Sequence, residues 1–405
     1  MLRRVTSAYR LAFSGLPRDV WLLAGATLVN RSGTMVLPFM ALYLTTKLGF
    51  SIVEAGRILS LYGIGAIVGG YVGGLLSDRY DSVRVQIVSL IGTGIGFIAL
   101  SRAHGRVAVS LAIVGLSLIA ECFRPALFAA VARFAAPPVR TRSLALIRLA
   151  VNLGMSFGPA IGGMLAARHY GLLFVVDAAT CWMAAVVLAV ALPHRPPARA
   201  ADRSEGAPPA SPWRDRPYRL FLLAMLVLGV VFFQISGTMT LYLRQAYGFP
   251  EDTIGLLLAL NTVVIVAVEM VLVRALEERS HLKVAALGAL LVCAGMAMLP
   301  LGRGRGFAAL TILVWTAGEM LSLPMTNAVA ASKAGGASAG RYLGAYWLAF
   351  AAAFVLAPAL GTAIYERLGP SALWFGIGGL GVLLAAGFLA LARVFARGPA
   401  SAAPG

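Results

Sequence analysis

Long apolar stretches recur along the whole chain, and short polar stretches separate them. About 12 of them approach 20 residues, the length that an α-helix needs to cross a hydrocarbon layer of roughly 30 Å. Backbone polar groups in hydrocarbon must be satisfied within the segment, so the pattern predicts transmembrane helices rather than strands. The predicted spans are 20–44, 52–76, 83–101, 106–131, 143–167, 170–192, 218–243, 252–275, 283–301, 306–330, 341–365 and 371–395.

Composition agrees with a membrane protein. Of 405 residues, 60% are hydrophobic and only 12% charged, whereas a soluble domain carries roughly twice that charged fraction. The four histidines lie in or beside predicted loops, and there is no H-E-x-x-H pair, phosphate loop or nucleophile triad. The three cysteines fall inside spans and form no metal-ligand pair. We therefore predict an all-α integral membrane protein that is not an enzyme and has no cofactor or metal site.

The net charge of +18 is distributed unevenly between the two sides of the membrane. The termini and the loops after even-numbered spans hold 22 of the 34 lysines and arginines, and the opposite side holds 9. Basic loops stay cytoplasmic, so both termini are predicted to be cytoplasmic, and no nucleic-acid partner is needed to explain the charge. The abundance of alanine and arginine favours a bacterial protein, which places it in the cytoplasmic (inner) membrane.

One polar segment, residues 193–217, is rich in proline, alanine and arginine and has no apolar periodicity, which is typical of a flexible linker. It divides the chain into an N-terminal bundle (1–192) and a C-terminal bundle (218–405). Each bundle has six spans, with a short charged loop after its second span. Duplicated six-helix halves predict a pseudo-symmetric transporter with its substrate site near mid-membrane. We expect a monomer.

The loop after the second span reads GGLLSDRYDSVR and resembles the corresponding loop of the major facilitator superfamily. Four residues fit that motif, namely Gly74, Asp78, Arg79 and Arg84. Asp81 stands where glycine is usual. Gly74 is expected to let the helix end approach a neighbour, and Asp78 to pair with arginine. The resemblance implies a latch that stabilises one conformation of the transporter.

The fifth span contains NLGMSFGPAIGG, which matches every fixed position of the superfamily's antiporter motif, G-x-x-x-G-P-x-x-G-G. The matching residues are Gly154, Gly158, Pro159, Gly162 and Gly163. Glycines at this spacing expose a smooth backbone face for close packing, and proline bends the helix. In the superfamily this motif is typical of exporters that exchange substrate against protons, although tight packing alone would also explain it.

Charges inside spans are rare, and each costs on the order of 3 kcal/mol at a helix centre. Pairing or a watery cavity is therefore expected around them. The seven are Arg31, Glu121, Arg124, Arg148, Asp177, Glu269 and Glu319. Glu121 and Arg124 share a helix face, and that pair could couple protons or be structural. Asp177 and Glu269 could relay protons or serve structure, and Arg148 is expected to reach the cytoplasmic surface.

Glu319 lies deepest in the second half, in VWTAGEMLSLP, which resembles the tenth helix of proton-coupled multidrug exporters. No basic residue lies near it in sequence, and a carboxyl group isolated in a low-dielectric medium favours its protonated form. It could carry a proton or donate an interhelical hydrogen bond. The candidate proton-coupling residues are Glu319, Glu121, Arg124, Asp177 and Glu269, and the candidate substrate-cavity residues are Asn30, Arg31, Trp315 and Tyr346.

Together these features predict a transporter that takes up protons while exporting hydrophobic or amphipathic small molecules by alternating access. Uptake of a peptide or metabolite, and flipping of a lipid or lysolipid, are the alternatives. Peptide transporters of the superfamily carry a Glu-x-x-Glu-Arg cluster in the first helix, whereas this chain has LVNRSG there and no acid. A sensor or channel with this fold is a further alternative, which turnover measurements would distinguish.

Overall fold

The computed structural model describes residues 14–192, 211–276, 278–332 and 339–397. Within these residues the structure is helical. The helices of the first half are α1 (Arg18–Ser32), α2 (Val36–Leu42), α3 (Ile52–Arg79), α4 (Ser82–Arg102), α5 (Arg106–Glu121), α6 (Phe123–Phe134), α7 (Pro137–Arg168) and α8 (Gly171–Ala191). Those of the second half are α9 (Arg216–Phe232), α10 (Thr238–Gln245), α11 (Glu251–Leu276), α12 (His281–Ala297), α13 (Arg305–Ser332), α14 (Ala339–Leu368) and α15 (Pro370–Arg397).

Eleven helices in the described part of the chain are long and apolar enough to cross a membrane. The all-α membrane fold is thus confirmed. The predicted span 20–44 has a different construction, because it consists of α1, α2 and the start of a π-helical turn at Tyr43–Lys47. Its interruption at residues 33–35 leaves two pieces that are each shorter than a membrane-spanning helix.

The first and the seventh span are both interrupted at the same four-residue sequence. Ser-Gly-Thr-Met occupies residues 32–35, between α1 and α2, and residues 236–239, where a 3₁₀ turn separates α9 from α10. At the first break, Gly33 has no room for a Cβ because the side chain of Thr180 lies against it. Interrupted helices at corresponding positions of two repeats are a typical sign of a transport site.

The internal repeat is also visible in short segments whose sequences are similar in the two halves. LYLTTKLGF at 42–50 and LYLRQAYGF at 241–249 are separated by 199 residues, and so are PAIG at 159–162 and PALG at 358–361. Gly49 and Gly248 both have a positive φ, 71° and 68°, in the turn that precedes the next helix. This conformation costs glycine little, so the same turn is built twice.

The helices pack into two compact units. The first contains the described residues within Met1–Phe50, Leu61–Asp202 and Phe249–Ala259, and the second those within Ser51–Ser60, Arg203–Gly248 and Leu260–Gly405. Each unit thus includes the start of one helix from the other half of the chain. The predicted division at the linker stays a prediction, because residues 193–210 lie outside the described part.

In the second unit, glycines bring the backbones of α12 and α13 together. A Cβ on Gly288 would lie 2.6 Å from the amide nitrogen of Ser322, and one on Gly295 would lie 2.6 Å from that of Trp315. Helices in lipid associate through such close packing, since burial of apolar side chains gains little there. This packing fixes the position of α13, which carries Glu319.

The helices that carry the repeated segments PAIG and PALG each make a close contact with another helix of the same unit. In the first unit, a Cβ on Gly163 of α7 would lie 2.9 Å from the Cα of Gly255, at the start of α11. In the second unit, a Cβ on Gly56 of α3 would lie 2.6 Å from the carbonyl oxygen of Pro358 in α14. Both contacts require a glycine because backbone faces backbone.

We predict that Gly163→Ala lowers the free energy of unfolding by about 1–3 kcal/mol, because the added methyl group forces α7 and α11 apart. Gly70→Ala in α3 is the matched control, since no atom lies within 4 Å of its added Cβ. There the better helix propensity of alanine should leave stability unchanged or raise it by up to about 1 kcal/mol. Thermal unfolding in detergent, followed by tryptophan fluorescence, measures both, and equal midpoints for the two variants would contradict the packing argument.

Candidate functional site

Glu319 lies in the middle of α13 and is hydrogen-bonded to a neighbouring helix. Asn261 of α11 donates from Nδ2 to Glu319 Oε2 at 2.9 Å and to Thr316 Oγ1 at 3.0 Å. Asn261 and Thr316 are buried, and Glu319 is half-buried. Among the described residues Glu319 has no cationic partner. Glu269, also on α11, is within electrostatic range.

Sequence reasoning missed Asn261, although a signal was present. It is a lone amide in the apolar stretch LLLALNTVVIV, and a polar side chain inside a membrane helix usually has an interhelical partner. Its side chain therefore joins α11 to the Glu319 carboxyl group on α13.

A second cluster of charged side chains, around Glu121, lies in the first unit, where α5 ends and α6 begins. Glu121 Oε2 lies 3.9 Å from Arg124 Nε, and the Arg124 side chain is 57% exposed, so this ion pair is weak. Arg31 of α1 lies within electrostatic range of Glu121, Arg124 and Tyr62. The Arg31 Nε atom is buried without a hydrogen-bond partner. The structure thus brings three of the predicted residues together.

The internal repeat relates the two clusters. Tyr62 and Asn261 are separated by 199 residues, as are Pro125 and Pro324, and Glu121 and Glu319 are separated by 198. Each half therefore places an acid on its fourth span and a polar partner on its second. The two differ in charge, because arginines accompany the first acid and an amide accompanies the second.

Asp177 of α8 supplies acceptors to the broken first span. Its carboxylate accepts hydrogen bonds from the backbone N–H groups of Met35 at 3.2 Å and of Val36 at 3.0 Å. Only 1% of its surface is exposed. The first N–H groups of a helix have no partner within that helix, and Asp177 satisfies that of Val36 at the start of α2. The Met35 N–H also donates to the carbonyl oxygen of Gly33 at 2.9 Å. Nearby, Asn30 donates to Cys181 Sγ at 3.4 Å.

At the corresponding break in the second unit, the hydrogen bonds are made by Gln234. It donates from Nε2 to the carbonyl oxygen of Ala357 at 3.0 Å, and its Oε1 accepts from Thr238 Oγ1 at 2.7 Å. A side chain on a neighbouring helix stabilises the break in the first unit, whereas a residue of the broken span itself does so in the second.

The antiporter motif lies against the first break. A Cβ on Gly154 would contact Arg31, one on Gly158 would lie 2.9 Å from the carbonyl oxygen of Thr34, and one on Gly162 would lie 3.0 Å from the Cβ of Met35. Gly163 instead faces α11. The glycine face of α7 therefore contacts the interrupted segment of the first span, and Pro159 lies within this face.

Trp315 and Tyr346 lie inside the helix packing of the second unit, where they are 1% and 2% exposed. The Trp315 ring lies 6.4 Å from that of Phe232, and the Tyr346 hydroxyl lies 3.2 Å from Thr326 Oγ1. Trp347, adjacent in sequence to Tyr346, is 51% exposed. Neither residue predicted for a substrate cavity thus lies on an accessible surface in this conformation.

The charged loop after α3 forms its ion pair with a different acid from the one expected. Asp81 Oδ1 lies 2.7 Å from Arg133 Nη1 at the end of α6, and Asp81 also accepts from the backbone N–H of Val83. The three charged motif residues, Asp78, Arg79 and Arg84, are exposed.

The expected role of Gly74 in close helix approach is wrong. No atom lies within 4 Å of a Cβ added to Gly74, whereas one on Gly73 would lie 2.5 Å from the Cα of Cys122. The two glycines are adjacent, and helix rotation points only Gly73 toward the end of α5.

No group of three or more histidine, cysteine or acidic side chains in the described residues could hold a metal ion. The three cysteines are buried and free.

The sequence pattern of the Major Facilitator Superfamily matches residues 22–358. The chain belongs to this superfamily. It is therefore a multi-pass membrane transporter of small-molecule substrates and not an enzyme.

Relatives from several bacteria support the assignment. YqjV, an uncharacterised superfamily transporter of Bacillus subtilis (strain 168), is 25% identical over 332 residues, which cover 80% of this chain and 81% of that protein. A Na⁺, Li⁺, K⁺/H⁺ antiporter of Planococcus maritimus is 22% identical over 397 residues, covering 89% of this chain and 91% of that protein.

Solved structures share the fold at low sequence identity. A peptide transporter, POT, in complex with sulfate has a TM-score of 0.81 at 17% identity, and the match covers 95% of this chain and 96% of that one. The nucleoside transporter NupG has a TM-score of 0.79 at 14% identity, covering 92% and 99%.

We predict that Asp177→Ala destabilises this superfamily member by about 1–3 kcal/mol, because the buried Val36 N–H loses its acceptor. The Met35 N–H still donates to the carbonyl oxygen of Gly33. Asp177→Asn should be milder, since its carbonyl oxygen still accepts. Asp78→Ala, at an exposed position, is the control. Unfolding midpoints and hydrogen exchange at the Val36 amide measure the effect, and wild-type exchange in Asp177→Ala would refute the capping role.

Proposed function

We propose that this transporter exports hydrophobic or amphipathic small molecules in exchange for protons. The observation that carries the proposal is Glu319, a carboxyl group in the middle of a membrane helix whose hydrogen-bond donor is the neutral amide of Asn261. A proton carrier must be stable both charged and neutral. Asn261 stabilises the charged form, and the absence of a cationic partner among the described residues keeps the neutral form accessible.

Competition at Glu319 would couple the two fluxes. A protonated Glu319 is neutral, whereas the deprotonated carboxylate attracts a cationic or hydrogen-bond-donating substrate. Glu121 differs because Arg124 and Arg31 lie close to it. We therefore assign proton exchange first to Glu319, with Glu269 as the nearby second acid. Asp177 is assigned to the support of α2, since its oxygens already accept from backbone groups.

The glycine face of α7 provides the mechanical part of the proposal. It allows the interrupted first span to slide against α7 with few side-chain barriers, and Pro159 removes one backbone hydrogen bond at that place. The antiporter-motif resemblance favours export. The driving force is adequate, at about 2.3 kcal/mol per charge per 100 mV and about 1.4 kcal/mol per pH unit. We place the protein in the bacterial inner membrane with both termini cytoplasmic, acting as a monomer.

Exchange of a monovalent metal cation for protons is a second candidate. Glu319 and Thr316 place a carboxylate and a hydroxyl oxygen within hydrogen-bond distance of the Asn261 amide, and oxygen atoms are the ligands that hard cations prefer. The Planococcus maritimus relative is named as an antiporter of Na⁺, Li⁺ and K⁺. Proteoliposomes given a sodium gradient without any organic substrate would show internal pH changes if this candidate is right.

The decisive variant is Glu319→Gln. In proteoliposomes with an imposed pH gradient, we expect the wild type to move a lipophilic cation such as tetraphenylphosphonium against its gradient. Glu319→Gln should lose at least about 90% of this gradient-driven flux, because a proton carrier contributes on the order of 10²-fold or more. Glu278→Gln, in an exposed loop position, is the control. Unchanged flux in Glu319→Gln would disprove the site assignment.

Asn261→Ala tests whether the hydrogen bond from Asn261 to the Glu319 carboxyl group affects proton exchange. The variant removes a donor that favours the charged carboxylate, so protons should compete with substrate up to higher pH. We expect the pH profile of transport to move upward by about one unit, since a hydrogen bond to a charged group is worth about 1.5–3 kcal/mol. A profile that does not move, in a variant with wild-type unfolding temperature, would exclude Asn261 from coupling.

A further inference from the structure

A groove lies where the end of the linker meets the start of α14, in the second unit. Its volume is about 370 Å³, and its lining residues are Ser211, Pro212, Trp213, Arg341, Ala345 and Leu348. The last three lie at positions i, i+4 and i+7 of α14, so they share one helix face. The groove lies beside the first turns of α9 and α14, on the side that charge asymmetry predicts to be cytoplasmic.

The short segment 211–215 leads into a helix start that is held against α14 by specific contacts. The Tyr218 hydroxyl donates to the carbonyl oxygen of Tyr342 at 2.7 Å, and the two rings lie 4.6 Å apart. Asp215 accepts from the backbone N–H of Tyr218 at 3.1 Å. These contacts fix the start of α9 beside that of α14, and the groove lies between α14 and residues 211–213, which lead into α9.

One arginine, Arg341, lines the groove, and further arginines follow the lining residues Ser211, Pro212 and Trp213 in sequence. Residues 211–220 contain three arginines, Arg214, Arg216 and Arg219, and one acid, Asp215, which already caps α9. All three arginines and Arg341 are exposed. Trp213 is 56% exposed, and tryptophan favours the headgroup level of a bilayer. The chemistry of the rim therefore fits an anionic group at the membrane surface.

The groove also has an apolar end, where Leu348 belongs to its lining. Leu348 lies seven residues beyond Arg341, which is about 10 Å along the helix. Leu348 is exposed, as is the neighbouring Trp347. A ligand that extends from Arg341 to Leu348 needs a negative head and a hydrocarbon body. We propose that this groove binds an anionic phospholipid of the cytoplasmic leaflet, with its phosphate at Arg341 and its acyl chain along Leu348.

The test uses the full-length protein in nanodiscs made from equal parts of phosphatidylglycerol and phosphatidylcholine. Native mass spectrometry then counts the lipids that remain bound after the disc is removed. We expect the wild type to retain phosphatidylglycerol preferentially. Arg341→Gln should lower this preference about fivefold, the effect of one arginine at a membrane surface, and Arg341→Lys should restore most of it.

Arg305→Gln is the matched control, since Arg305 is an exposed arginine at the start of α13, on the opposite predicted side. Equal lipid retention in Arg341→Gln and Arg305→Gln would overturn the proposal. So would displacement of the lipid by millimolar glycerol 3-phosphate, because the groove would then recognise a soluble phosphate. Trp213→Leu should weaken retention as well, and its unfolding temperature shows that the variant is folded.

Discussion

Every backbone N–H and C=O group in hydrocarbon needs a partner, and the rest of this structure depends on that constraint. It explains why the described chain is helical and why interruptions occur only where another group supplies the missing hydrogen bonds. Asp177 does so for the Val36 N–H at the first break. At the second break, Gln234 donates to the backbone carbonyl oxygen of Val230 in the last turns of α9. An acid inside a membrane span therefore need not be a proton carrier, since here one of them completes a helix.

The two halves use the same architecture for different electrostatic purposes. Glu121 lies 3.9 Å from the Arg124 side chain and within electrostatic range of Arg31. Glu319 has the neutral amide of Asn261 as its hydrogen-bond partner instead. The duplicated fold therefore gives its two corresponding acids different surroundings, with arginines in the first half and an amide in the second.

Periodicity and composition were sufficient to predict the spans, because the requirement for about 20 apolar residues is strict. Side-chain direction was harder to predict. Gly73, and not the adjacent Gly74, makes the close approach to Cys122, since helix rotation decides which glycine faces the neighbour. The Asp81–Arg133 pair joins residues 52 positions apart, and no local motif records such a distance. Asn261 was visible as a polar residue in an apolar helix, but its partner depends on how α11 packs against α13.

The spacing of the repeated segments has a geometric consequence. The two Ser-Gly-Thr-Met breaks are 204 residues apart, whereas the LYL segments that follow them are 199 apart. The piece beyond the break is thus five residues longer in the first half, which is about 7.5 Å of helix. If the two helical pieces beyond the breaks rotate through the same angle, the end of the longer piece moves further than the end of the shorter one. A pivot through equal angles at the two breaks would therefore displace the end of the first span further than the end of the seventh.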